Sequence, residues 1–319
     1  MVEKNSRNVS YPAQLATFLG LTGGGIIISV ILTGVIWLMM VGGTFPTKSQ
    51  DILQPKYYNV AMVLQAVTTF FIFFFPVYLF AAICYKKPVK FLGFNVPVNY
   101  RQFFLVIGIL IVTFPLAGAL GELNKVLPIP QRWAVKFKDW ETAREAQEAA
   151  FIQINSVPRY ILSLFIIALL PGIFEETFFR GGLQNFLIRW FKNPWAAIIL
   201  TSIIFSLIHL SYYGFLVRFA LGVILGLIFY YSGSLWLSIL FHFLFNGIQV
   251  TILYVANLSG KISEAKNMEK GFPLWIGVVA FALLLYLFTR YKQASVIQRE
   301  KYINEPPEND FHDWTNDQS

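Results

Sequence analysis

Apolar residues fill long, nearly unbroken stretches of the chain, separated by short polar connections, rather than alternating with polar ones as an element with one wet face requires. A helix rises about 1.5 Å per residue, so about 20 such residues cross a hydrocarbon core of about 30 Å. The pattern predicts helices over 15–41, 59–84, 102–121, 160–190, 194–211, 215–231, 234–256 and 272–290. The expected fold is an all-α membrane protein, a bundle of about eight transmembrane helices. Its expected organisation is an N-terminal tail over 1–14, one polytopic membrane domain over 15–290 with its motif core in 160–256, and a polar tail over 291–319. That tail contains Pro306 and Pro307 and is expected to be disordered. The first apolar run reads as the first span, being too long for a signal peptide.

Two segments depart from the pattern. The fourth predicted helix runs from Tyr160 through Pro171 and Gly172 into Glu175, Glu176 and Arg180 before apolar residues resume at Phe186. It reads as one long helix with a polar middle. The connection from Glu122 to Arg159 carries Trp133, Phe137 and Trp140 among charged residues. It predicts an amphipathic helix lying at the membrane interface, a tether rather than a cover.

Composition agrees with the pattern. Of the 319 residues, 56% are hydrophobic and 13% charged, against roughly 45–50% and about 25% in soluble domains. A net charge of +8 would suit nucleic acid if it were gathered in a basic domain. Lys and Arg instead flank the apolar runs, where lipid headgroups are the expected partner and nucleic acid is not. With loops assigned alternately to two sides, Lys and Arg divide equally between them, so the positive-inside rule leaves the orientation open. Cys84 is the single cysteine, which rules out an intramolecular disulfide and suits a small core residue.

Charged groups inside spans cost about 2.5–3.5 kcal/mol each and are functional candidates by default. Glu175, Glu176, Arg180, His209, His242 and Asn246 all fall in predicted spans, on helices 4, 5 and 7. Together they predict a conical or buried polar site. Glu176 and Arg180 share a helical face and predict a supporting ion pair, which leaves Glu175, about 100° away, for other work. His242 and Asn246 stack one turn apart. Glu175 and His209 stand equally far from the Lys192 turn, which places both about 25 Å from it in an antiparallel hairpin.

Such a cluster suits acyl transfer to water. Glu175 takes the proton of water with His209 alongside, and His242 and Asn246 donate to the oxyanion. No serine or cysteine pairs with these groups to make a covalent intermediate. The same residues allow a second reading, in which Glu175, His209 and His242 hold a zinc ion. The absence of an HExxH motif favours the reading without a metal or other cofactor.

Three motifs in order carry a resemblance to a family. Glu175-Glu176-Thr-Phe-Phe-Arg180 is similar to EExxxR, Phe205-Ser-Leu-Ile-His209 to FxxxH, and His242-Phe-Leu-Phe-Asn246 to HxxxN. With Ser232-Gly233-Ser234-Leu235-Trp236, the chain over 171–250 resembles the CPBP intramembrane endopeptidases, which include the CAAX prenyl proteases and bacterial proteins of bacteriocin processing and self-immunity. The resemblance implies an eight-helix membrane core, Glu175 and His209 as water-activating residues, and His242 and Asn246 as oxyanion donors. It also implies a site opening toward the cytosol, and a family labelled both as metalloproteases and as glutamate-dependent. Prenylated CAAX tails belong to its eukaryotic branch, and no pocket for a prenyl group is legible here. The expected protein is a multi-pass intramembrane protease of the cell membrane acting on a peptide or protein, membrane-associated ones included, with its oligomeric state open. Two other readings use the same residues: a non-enzymatic membrane immunity or scaffold protein, and a proton-coupled transporter with a Glu/His relay.

Overall fold

The computed structural model describes residues 7, 9–43, 54–151, 154–261 and 271–303. Among them there is no β-strand. In chain order the helices are α1 (Tyr11–Met40), α2 (Tyr58–Cys84), α3 (Pro88–Phe91), α4 (Tyr100–Val126), α5 (Gln131–Phe151), α6 (Val157–Phe191), α7 (Pro194–Leu207), α8 (Phe215–Ser232), α9 (Leu235–Leu258) and α10 (Leu274–Ile303). Seven of these are long and apolar enough to cross a membrane, and α7 is a shorter apolar helix. The protein is an all-helical integral membrane bundle.

Local chemistry sets the helix ends. Asn99 and Gln102 form a reciprocal capping box at the start of α4, satisfying amide donors that the first turn leaves open. Asn193 accepts from the Ala196 amide at the start of α7, where Pro194 has no N–H that needs an acceptor. Lys192 and Gly233, both left-handed, close α6 and α8. The first of these is the tight turn expected near Lys192.

Three π-helical segments widen the spans: Phe70–Phe74 in α2, and Leu164–Leu169 and Thr177–Gln184 in α6. Pro76 and Pro171 follow the first two closely. A proline has no amide proton and crowds the preceding carbonyls, which a wider turn accommodates. The third segment contains no proline and begins directly after Glu176.

Two apolar clusters flank the polar residues. One joins Phe18 of α1 and Val77 and Phe80 of α2 to Phe179 and Phe186 of α6. The other joins Ile109 of α4, Leu225 and Ile228 of α8, Phe241 of α9 and Leu284 of α10. Between them α8 approaches by its glycines. A Cβ on Gly222 would lie 2.8 Å from the Cβ of Ser202, and one on Gly226 would lie 2.8 Å from Oε1 of Gln184. Small residues one turn apart let helix backbones close on each other where no hydrophobic force drives association.

The structure departs from the sequence-based expectation at three places. The helix expected over 194–211 ends at Leu207, so His209 stands in a turn beyond α7 rather than inside a span. A helix of this length rises about 21 Å, short of the ~30 Å hydrocarbon core. The last helix continues past Arg290 to Ile303, with Tyr291, Ala294 and Ser295 buried, so the expected tail begins as helix. Residues 304–319 lie outside the described residues. Finally, α5 packs against the turn that carries His209, as a cover does: the Phe137 ring stacks on Tyr212 at 4.8 Å, and Ser211 donates to Glu141 at 2.9 Å.

Candidate active site

The site lies where α6, α9 and the turn after α7 meet. On α6 the i, i+4 spacing brings Nη1 of Arg180 to Oε1 of Glu176 at 2.7 Å, with both side chains fully buried. The second guanidinium nitrogen donates to the Gly222 carbonyl of α8 at 3.2 Å. Nδ1 of His242, from α9, lies 2.8 Å from the same Oε1 of Glu176. A carboxylate oxygen only accepts, so this Nδ1 carries the proton. The predicted Glu176–Arg180 pair is therefore part of a three-residue network that also orients His242. The third member was missed because helical spacing relates residues on one helix and is silent about which rotamer reaches across to another.

His209 is held differently. Its Nδ1 lies 2.7 Å from the carbonyl of Phe205, one turn back. A carbonyl only accepts, so here too the proton is on Nδ1 and Nε2 faces away from the backbone. The Phe205 ring contacts both imidazoles, at 5.0 Å from His209 and 6.3 Å from His242. The Arg180 guanidinium also lies over that ring at 4.8 Å.

Four groups remain without a hydrogen bond to any described residue: the Glu175 carboxylate, Nε2 of His209, Nε2 of His242 and the Asn246 amide. None of their atoms is among the fully occluded polar atoms that lack partners, which include Oε2 of Glu176 and Nε of Arg180. Their free valences are thus open to a small molecule. Glu175 lies within electrostatic reach of His242, Glu176, Arg180 and Arg218, and His209 within reach of His242, Arg180 and Arg218. Among the described residues no three His, Cys, Asp or Glu side chains are grouped so as to hold a metal ion.

The turn over 208–214 needs its own support, because backbone that leaves a helix gives up its helical hydrogen bonds and must find other partners. Asn124 of α4 supplies two. Its Nδ2 donates to the Tyr212 carbonyl at 2.9 Å, and its Oδ1 accepts from the Leu216 amide at 2.8 Å. Ser206 donates to the Phe215 carbonyl, and Ser211 accepts from the Gly214 amide. Leu210 adopts φ +48°, a strained value for a branched side chain. Asn124, Ser206, Ser211 and Glu141 escaped the sequence reading. A polar residue such as Asn124 closing an apolar run was the one available signal.

The sequence over residues 157–248 matches the family model described as type II CAAX prenyl endopeptidase Rce1-like. A curated Escherichia coli protein, described as an uncharacterized 24.3 kDa protein, is 35% identical over 92 residues. That match covers 28% of this chain and 42% of the relative, so the chain spans less than half of that protein's length. No solved structure matches the chain. All the motif residues lie inside the matched segment.

Proposed function

We propose that the chain hydrolyses peptide bonds within the membrane, using Glu175, His209, His242 and Asn246, a reading supported by the match of residues 157–248 to the Rce1-like family model of type II CAAX prenyl endopeptidases, a protease family. Water attacks the scissile carbonyl carbon while Glu175, with Nε2 of His209 alongside, takes its proton. The carbonyl oxygen becomes an oxyanion, held by the Asn246 amide and by Nε2 of His242. For His242 to donate there while Nδ1 bonds Glu176, the ring is an imidazolium, and the Glu176 carboxylate supplies the countercharge. Glu175 and Glu176 then balance Arg180 and His242. Collapse of the intermediate breaks the C–N bond, and the proton passes to the leaving amine, giving a free acid and a free amine.

The observation that carries this reading is the division of labour among the polar groups of the site. Glu176, Arg180 and both Nδ1 atoms are engaged with the protein. Glu175, Asn246 and both Nε2 atoms are not, although a polar group in apolar surroundings costs free energy unless something pairs with it. A scaffold explains the first set and gives no reason for the second. Transport by a Glu/His relay leaves the Asn246 amide without a task.

The reading needs no metal, and it includes the cell membrane as location and a peptide or protein as substrate. Cleavage of a panel of peptides by the purified chain in detergent tests it. The wild type is expected to cut, while Glu175→Gln and His209→Ala each lose cleavage about 10²–10⁴-fold. Cleavage that survives both substitutions ends the proposed mechanism.

A further inference from the structure

The two histidines of the site come from different elements, α9 and the turn after α7, and a single side chain joins them. Phe205 is 4% exposed, and its ring touches His209, His242, Arg180 and Phe179. The contacts form a closed circuit: Arg180 to Glu176, Glu176 to His242, His242 to the Phe205 ring, and the ring back to the Arg180 guanidinium. His209 attaches to this circuit through Phe205 twice, by the ring and by the carbonyl that receives its Nδ1 proton.

Each contact has a directional preference. The His242 ring stands at 84° to the Phe205 ring and the His209 ring at 62°. Edge-to-face arrangements follow the positive rim and negative face of aromatic rings. The guanidinium near the same ring adds a cation–π contact strengthened by burial. A branched aliphatic side chain fills similar volume but offers neither a face nor an edge.

We propose that Phe205 is the positioning residue of the hydrolytic site: its ring fixes the planes of both imidazoles against the Glu176–Arg180 pair, while its carbonyl fixes the tautomer of His209. The proposal rests on the function proposed above, because the aim of the two Nε2 atoms matters only if both act on one substrate. Removing the ring frees the His209 imidazole to turn about its Cβ–Cγ bond and leave the Phe205 carbonyl. Both tautomers then become populated, and Nε2 is correctly aimed for only part of the time. A mispositioned base lowers the rate of the chemical step and leaves substrate binding alone.

The test uses the full-length chain in nanodiscs with ¹⁵N-labelled histidine, whose spectrum is simple because the chain has three histidines. Wild type, Phe205→Leu, Phe205→Tyr and Phe186→Leu are compared. Phe186 is equally buried in the same core and touches neither imidazole, so its variant reports the cost of losing a core ring alone.

The expected result is a single Nδ1–H tautomer for His209 in the wild type and in Phe186→Leu, and a mixture in Phe205→Leu. Phe205→Leu is expected to lower kcat about tenfold to a hundredfold at nearly constant KM, as loss of two aromatic contacts implies. Phe205→Tyr is expected to restore most of it. A Phe205→Leu variant with an unmixed tautomer overturns the proposal, and so does a kcat within twofold of wild type. It is equally overturned if Phe186→Leu lowers kcat as much, because the ring is then only core. Should the wild type cleave no peptide, the proposed function fails while the tautomer measurement still decides the role of Phe205.

Discussion

Replacing Glu176 or its neighbour Glu175 by glutamine removes one negative charge in either case, yet the structure predicts opposite consequences. Oε1 of Glu176 receives the Arg180 guanidinium at 2.7 Å and Nδ1 of His242 at 2.8 Å, at a position with no exposure. Glu176→Gln leaves the Arg180 charge buried, with the Gly222 carbonyl at 3.2 Å as its remaining strong acceptor. Breaking a buried pair by neutralising one partner costs about 3–5 kcal/mol, because the other charge is left uncompensated. The apparent melting temperature should fall by on the order of 10 °C. Glu175 hydrogen-bonds to no described residue, so Glu175→Gln gives up only through-space attraction to His242, Arg180 and Arg218 while relieving repulsion from Glu176, and with these opposed it should leave melting within about 2 °C of wild type. Peptide cleavage should respond the other way per unit of stability lost, with Glu175→Gln inactive while fully folded. Thermal melting in detergent, followed by tryptophan fluorescence, and peptide cleavage measured well below the melting point check both halves. If Glu175→Gln melts as early as Glu176→Gln, the two carboxylates share a structural role and the assignment of Glu175 to water is wrong.

Asn246→Ala should lower kcat about 10²–10³-fold with little change in KM, as loss of an oxyanion donor does, and an increase in KM alone would make Asn246 a binding residue. Treatment with a strong chelator should leave cleavage unchanged; inactivation reversed by added zinc would instead make Glu175, His209 and His242 ligands. Gly222→Ala should destabilise the fold by about 1–3 kcal/mol, because the added Cβ would lie 2.8 Å from that of Ser202, and unaltered melting would show that α8 is free to move away. Asn124→Leu removes both partners of the 208–214 turn and should cost about 2–6 kcal/mol for two stranded backbone groups. Retention of wild-type stability there would mean that water replaces Asn124.

The spans, the Lys192 turn and the Glu176–Arg180 pair were legible in the sequence because each follows from local rules. Apolar run length marks a crossing, a polar interruption marks a turn, and i, i+4 spacing marks a pair on one helix. The end of α7 obeys no such rule. Leu207, Ile208 and Leu210 are as apolar as the helix before them, and nothing among them stops a helix. What stops it is tertiary: Asn124 and Ser206 donate to the Tyr212 and Phe215 carbonyls, and Asn124 and Ser211 accept from the Leu216 and Gly214 amides, in place of helical hydrogen bonds. Extended helically through 211, α7 would carry His209 within a regular span, and the contacts that Tyr212 makes with Phe137 and Asn124 would be lost. Ending the helix early gives the histidine a backbone neighbour whose carbonyl sets its tautomer, and it places the turn under α5, where Phe137 and Glu141 meet it. The residues bearing the chemistry were therefore readable from type and spacing, whereas their aim depends on residues such as Asn124 and Phe205. The roles of those two appear only when separate helices are brought together, since neither carries a charge that marks it as misplaced in an apolar run.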